Sequence, residues 1–205
     1  MFVSKIKAIV LSTVLAMAAG GAQAEVITFN DSTPVSNTSV ASYTQNGYAF
    51  TLTSGSAYLT DANVGGATAS SVFSYNGTDY LILSGSVTMS NAAHTPFSVN
   101  SIDLGNYYYA YPSTAMLTGT RADGSTVSQS FTSAITNQSS ATDFTTRTLT
   151  NFTNLTAFNI QQTSGVYYAS VDNINVSAVP EPSTWGMLGL GMMLVAGALR
   201  RKKSA

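Results

Sequence analysis

Side chains able to do chemistry are sparse in this chain of 205 residues, only 8% of which are charged. Two aspartates stand out by position. Asp172 shares strand parity with Ile174 and Val176, and Asp31 shares it with Ile27 and Phe29, so both carboxylates are expected on the core side of their strands. An unpartnered buried carboxylate is costly, so each must end a strand, accept backbone hydrogen bonds or help to bind a cation. Tyr107, Tyr108, Tyr109 and Tyr111 cluster ahead of Pro112, and Tyr167 and Tyr168 form a second pair. Tyrosine rings and hydroxyls can stack on and hydrogen-bond to sugars, and strand alternation lets Tyr107, Tyr109 and Tyr111 share one platform. Ordinary strand usage of tyrosine is the plainer account of the same residues.

Catalytic constellations are harder to assemble. Glycosidases need two carboxyls in a cleft, and the two glutamates here, Glu25 and Glu181, sit near the chain ends. A serine triad would have to recruit His94, the one histidine, and no Gly-x-Ser-x-Gly elbow occurs. With no cysteine anywhere, thiol chemistry, disulfides and a credible zinc site are excluded. The chain is therefore expected not to be an enzyme.

Between the ends, residues 25–178 form a segment of single-domain size. Two cations, Arg121 and Arg147, stand against eight carboxylates, which leaves this body near −6. Nucleic acid is excluded as a partner, because phosphate binding needs clustered positive charge. The body is rich in Ser, Thr, Asn, Gly, Tyr and Phe and shows no apolar stripe at helical spacing. Strands are expected at Val26–Asn30, Tyr48–Thr53, Ser71–Tyr75, Tyr80–Leu83, Val87–Ser90, Phe97–Leu104, Ala115–Thr120, Thr126–Phe131, Phe144–Leu149, Leu155–Gln161 and Val166–Val176, the last broken or bent. Asn46-Gly47, Asn76-Gly77 and Asp123-Gly124 are hairpin dipeptides, and Gly65-Gly66 marks a loop. So many short strands predict an all-β fold, an antiparallel two-sheet sandwich of jelly-roll type.

The two ends read differently. Residues 1–24 carry Lys5 and Lys7, an apolar run from Ala8 to Ala19, and Ala22-Gln23-Ala24, the layout of a secretory signal peptide cut before Glu25. The small side chains of Ala22 and Ala24 suit signal peptidase. Residues 179–205 carry Val179-Pro180-Glu181-Pro182-Ser183-Thr184, an apolar segment from Trp185 to Leu199, and the basic cluster Arg200-Arg201-Lys202-Lys203. As a helix, those 15 apolar residues would span about 22 Å against a hydrocarbon core of about 30 Å. Such a span suits a transient stop better than a lasting anchor. By the positive-inside rule the cations stay cytoplasmic, which places the body outside the inner membrane before processing. A plain C-terminal membrane anchor behind a stiff Pro-rich linker is the alternative.

From Pro180 to Ala205 this order resembles the PEP-CTERM sorting signal. The resemblance implies that Pro180, Glu181 and Pro182 form the motif, that the short hydrophobic helix and basic stop Arg200, Arg201, Lys202 and Lys203 follow it, and that an exosortase, a membrane-embedded cysteine peptidase, cleaves near it. Phe97-Ser98-Val99-Asn100-Ser101-Ile102-Asp103-Leu104, Leu117–Ser125, Leu149–Leu155 and Val171-Asp172-Asn173-Ile174-Asn175-Val176 resemble the body of many PEP-CTERM proteins and, more distantly, jelly-roll carbohydrate-binding modules. The latter resemblance implies one structural calcium ion between the first and last strands, with Asp31 and Asp172 as carboxylate ligands and Asn30 and Asn173 as carbonyl donors. Against it, Asp31 starts a loop and Asp172 accepts backbone hydrogen bonds at the sheet rim. The expected partners are signal peptidase, exosortase, the inner membrane before processing and extracellular polysaccharide. The expected role is structural or adhesive in the exopolysaccharide layer of a biofilm, ahead of a carbohydrate-binding module and, third, a polysaccharide hydrolase.

Overall fold

Alternation of apolar and hydroxyl side chains builds nearly every element, since in a strand successive residues face opposite sides. The computed structural model describes residues 24–30, 38–60, 78–108, 111–133, 144–165, 167–179 and 189–193. Within them lie the strands β1 (Ala24–Ile27), β2 (Thr38–Ser39), β3 (Ser42–Gln45), β4 (Tyr48–Thr60), β5 (Tyr80–Asn91), β6 (Phe97–Asn106), β7 (Thr114–Arg121), β8 (Thr126–Thr132), β9 (Thr145–Thr148), β10 (Leu155–Ser164) and β11 (Ala169–Ala178). Every pairing among them is antiparallel. The body Ala24–Val179 is one compact unit, and Met1–Gln23 with Pro180–Ala205 fall outside it. Of those ends only a helical turn at 189–193 is described, with Leu190, Met192 and Met193 exposed. Among the described residues no helix is long and apolar enough to cross a membrane.

The fold is the expected antiparallel two-sheet sandwich, jelly-roll-like, with hydrogen bonding continuous between its layers. The β4–β5 ribbon makes that connection on one side, and Leu155 of β10 pairing with Phe97 of β6 makes it on the other. Ser86–Met89 of β5 pairs with β10, while Leu81–Leu83 of the same strand pairs with β11. One layer is thus β3–β4–β5–β10–β7–β8, and the other is the far half of the β4–β5 ribbon followed by β11, β6 and β9, with β1 beside β11. The ribbon turns the corner where Gly55 and Gly85 face each other, at φ 75° and 123°. A Cβ on Gly55 would stand 1.8 Å from the Ser84 carbonyl oxygen, and one on Gly85 would stand 2.3 Å from that of Ser54. Only glycine permits that backbone conformation and that approach.

The inner faces share one core. Phe50, Met89, Leu117 and Ile160 from the first layer meet Leu83, Ile102, Leu104, Val171 and Ile174 from the second. Edge-on pairs such as Phe29–Phe50 at 5.4 Å and Tyr48–Phe97 at 5.4 Å fill the space between them. Across the β8–β9 opening, the Arg147 guanidinium lies 5.6 Å from the Phe131 ring centroid.

Several expected boundaries shift. Tyr80–Leu83 and Val87–Ser90 are one strand, β5, and the strand from Tyr48 runs on to Thr60, because the intervening glycines bend the chain instead of ending it. The polar strand β3 was not foreseen, although the Asn46-Gly47 hairpin that follows it was, with φ 53° and 75° as a type I′ turn requires. Ser71–Tyr75, Gly65-Gly66 and Asn76-Gly77 lie outside the described residues.

Candidate functional site

Strand β11 carries a β-bulge that decides where its acid points. Ala169 and Val171 face the core, and so do Ile174 and Val176, which strict alternation forbids. The extra residue is taken up around Asn173, at φ 46°, where pairing with β6 slips between Asp172 and Asn175. The expectation from parity is therefore corrected. Asp172 faces outward from the second layer, beside Ser170 and directly across from Asp103, yet it is 0% exposed.

Its two oxygens are held separately. Oδ2 accepts the Thr78 hydroxyl at 2.8 Å and Oδ1 accepts the Asn173 backbone N–H at 2.8 Å. The Asn173 side-chain amide donates to Asp103 Oδ2 at 2.9 Å, and Asn30 Oδ1 accepts the Asp79 N–H at 2.9 Å. The structure thus joins Asn30, Asp172 and Asn173 through the Thr78-Asp79 segment, while Asp31 lies outside the described residues. Thr78 and Asp103 were not foreseen as partners, because nothing local in the sequence places them beside β11. Calcium asks for six or more oxygens. Among the described residues no group of three acidic or histidine side chains gathers to hold a metal. The Asn30 oxygen accepts the Asp79 N–H with one of its two lone pairs.

The same outward face carries the tyrosines. Tyr80, Ile82 and Tyr107 are buried in a second cluster, with Tyr58, Tyr108, Phe144 and Tyr168 packed on it. Strand β6 ends at Asn106, before the first tyrosine of the Tyr107–Tyr111 cluster. Tyr107 is 8% exposed and stands edge-on to Tyr108 at 5.1 Å and to Tyr168 at 5.8 Å. Tyr111, 45% exposed, meets Tyr167, 38% exposed, at 4.9 Å, and Tyr167 meets Tyr108 at 4.2 Å. The structure therefore groups Tyr111 with Tyr167 and Tyr108, and sets Tyr107 beneath them; Tyr109 lies outside the described residues. Burial raises the Tyr168 phenol above its usual pKa, and the neighbouring Tyr58 hydroxyl adds to the effect.

The remaining candidates sit at the margins. His94 is exposed in the turn after β5, at φ 57°. Ala24 opens β1 opposite Ser177, and Ala22 lies outside the described residues. The last backbone bond of the body runs from the Val179 N–H to the Pro96 carbonyl at 3.2 Å. Pro180, which has no N–H to continue a ladder, comes next. Pro180, Glu181, Pro182, Arg200, Arg201, Lys202 and Lys203 all lie outside the described residues.

Residues 178–202 match the family described as the PEP-CTERM protein-sorting motif. No curated protein matches the chain. The motif indicates exosortase-dependent export through a membrane-anchored intermediate to the cell surface, with exosortase as the processing partner. The chain is a protein that bears a PEP-CTERM sorting motif, carried behind a β-rich body.

Proposed function

We propose that the processed chain has a structural or adhesive, non-enzymatic role in the extracellular polysaccharide layer. The observation that carries this reading is the sorting motif at 178–202, which begins where β11 ends at Ala178, so that processing near Pro180 leaves the sandwich whole. The test is recovery of the native protein from its host. Mass spectrometry is expected to find it with the exopolysaccharide fraction, beginning at Glu25 and ending near Pro180. Recovery only from the periplasm would remove the reading, and so would a polysaccharide-cleaving activity lost in Asp172→Ala while the fold persists.

A second reading, a module for one defined glycan, is favoured by the exposed pair Tyr111 and Tyr167. The two rings stand edge-on at 61°, so each offers a separate face suited to the apolar face of a sugar ring. Glycan arrays of the wild-type chain against Tyr111→Ala and Tyr167→Ala test it. A single glycan lost in both variants supports a module, and an array without signal removes it.

A further inference from the structure

The outward face of the first layer has a composition unlike an ordinary protein surface. Ser42 of β3 pairs with Thr51 of β4, Thr51 with Thr88 of β5, Thr88 with Asn159 of β10, Asn159 with Thr118 of β7, and Thr118 with Ser128 of β8. One unbroken row of hydroxyl and amide side chains thus crosses six strands, about 24 Å at the usual strand spacing. The inward neighbours Phe50, Val87, Met89, Phe158, Ile160 and Leu117 belong to the core, which fixes the row as outward. Strands β3, β4, β5, β8 and β10 contain no charged residue, and β7 contains one, Arg121, at its end. Soluble surfaces ordinarily hold roughly a quarter to a third charged side chains.

The row is also laterally organised. Thr118 and Ser128 hydroxyls lie 3.0 Å apart, Thr114 and Thr132 hydroxyls 2.9 Å apart, and the Asn159 amide donates to Thr88 Oγ1 at 2.9 Å and to Ser86 Oγ at 2.7 Å. Threonine is stiff at χ1, so these groups lose little freedom when a partner arrives. A hydroxyl has one donor and two lone pairs, so a lateral bond leaves capacity toward solvent.

We infer that this uncharged hydroxyl face is the surface through which the body adheres to a neutral polysaccharide. The inference rests on the surface role proposed above and names its ligand class. A face without charge offers an ionic partner no counter-charge, and a body near −6 repels polyanions. Among the large apolar side chains of these six strands only Met116, registered with Gln161 and Ser130, lies on that face, which gives a lipid or an apolar protein surface little to bury. A neutral polyhydroxylated chain instead exchanges hydrogen bonds with the row along its length, gaining strength from repetition.

Affinity electrophoresis of the full chain in gels containing hydroxyethyl cellulose, dextran or alginate provides the test. The wild-type chain is expected to be retarded by at least one of the two neutral polymers and not by alginate. Thr88→Val with Thr118→Val, which keeps strand-favouring shapes, is expected to weaken that retardation at least tenfold. Ser42→Ala with Ser128→Ala removes exposed hydroxyls at the two ends of the row and weakens it less, with an unchanged melting temperature. Tyr111→Ala leaves it unchanged. Equal retardation of wild-type and double-valine chains overturns the inference, as does loss in Tyr111→Ala alone, retardation by alginate, or migration through both neutral gels without delay. Sedimentation showing that the double-valine change dissociates a dimer assigns the face to a second copy and overturns it too. If the native chain is recovered with host exopolysaccharide while the double-valine chain is recovered there equally, only this face is wrong. If neither is found there, the surface role itself fails.

Discussion

Asp172 is 0% exposed, so its hydrogen-bond partners decide whether a carboxyl is tolerable there. Replacing it with alanine removes the acceptor of the Thr78 hydroxyl and of the Asn173 N–H, at roughly 1–3 kcal/mol for a group left unsatisfied. Asp172→Ala is therefore expected to lose about 2–4 kcal/mol in denaturant unfolding, and Asp172→Asn, which keeps an acceptor oxygen, about half as much. Chelator separates two roles for this acid. If protein hydrogen bonds hold it, the wild-type melting temperature does not move; if it shares a calcium ion with Asp31, chelator lowers it by several degrees, because an ion that binds only the native state stabilises it by mass action. The tyrosines supply a pH dependence. Burial raises the pKa of Tyr168 and of Tyr48 above the ordinary 10.0. The folded protein thus keeps protons that the unfolded chain gives up, so this contribution is whole below pH 10.0 and is lost as pH rises through the folded values. Melting temperature is expected to fall above pH 10.0, with tyrosinate absorbance rising together with unfolding. Tyrosinate that appears fully before any loss of structure would count against it.

At the scale of elements, the β4–β5 ribbon carries the largest expected effect, since both of its strands bend from one layer into the other. Gly55→Ala and Gly85→Ala each set a methyl against a backbone carbonyl at a positive φ, and neither neighbour can turn aside. Each is expected to cost on the order of 4 kcal/mol and to abolish cooperative melting in a marginal background. Gly124→Ala, at φ 83° with open space around it, pays only the conformational term of about 1 kcal/mol. Circular dichroism melts of the three variants check the ranking, and equal losses at Gly85 and Gly124 would contradict the corner. The same glycines explain what the sequence could and could not tell. Alternation around Leu117, Phe158 and Ile160, together with Asn46-Gly47, made the sandwich legible, because both signals are local. Ser54-Gly55-Ser56 reads equally as a turn or a bend, and only pairing with a distant Gly85 makes it a bend. Asp172 was misread for a related reason. Parity is a local rule, and the bulge at Asn173 is set by register with β6, about seventy residues away in sequence. The tyrosines were visible as a group, but which of them touch depends on the chain leaving β6 at Asn106.

For the whole molecule, β1 and β11 together define where the chain enters and leaves the sandwich. Ala24 pairs with Ser177 and Glu25 with Val176, so the places where the chain enters and leaves the body are neighbours. A cut before Glu25 still leaves Glu25–Ile27 paired with Val176–Ile174, and a cut near Pro180 leaves all of β11. Cuts at those two places therefore leave the strand pairs of the sandwich standing. Replacing Pro180, Glu181 and Pro182 together with alanine is expected to leave the melting temperature of the body within about a degree of wild type, because they follow the last strand, which ends at Ala178. In a host with exosortase the altered chain is expected to accumulate in the membrane fraction at the mass of residues 25–205, while the wild type leaves that fraction shortened at its C-terminus. Neutralising Arg200, Arg201, Lys202 and Lys203 is expected to weaken retention at the anionic inner leaflet and to let unprocessed chain escape. A wild-type chain that persists intact, embedded through Trp185–Leu199 beside an active exosortase, would show that the short apolar segment is a lasting anchor after all, and that the body does its work at the membrane.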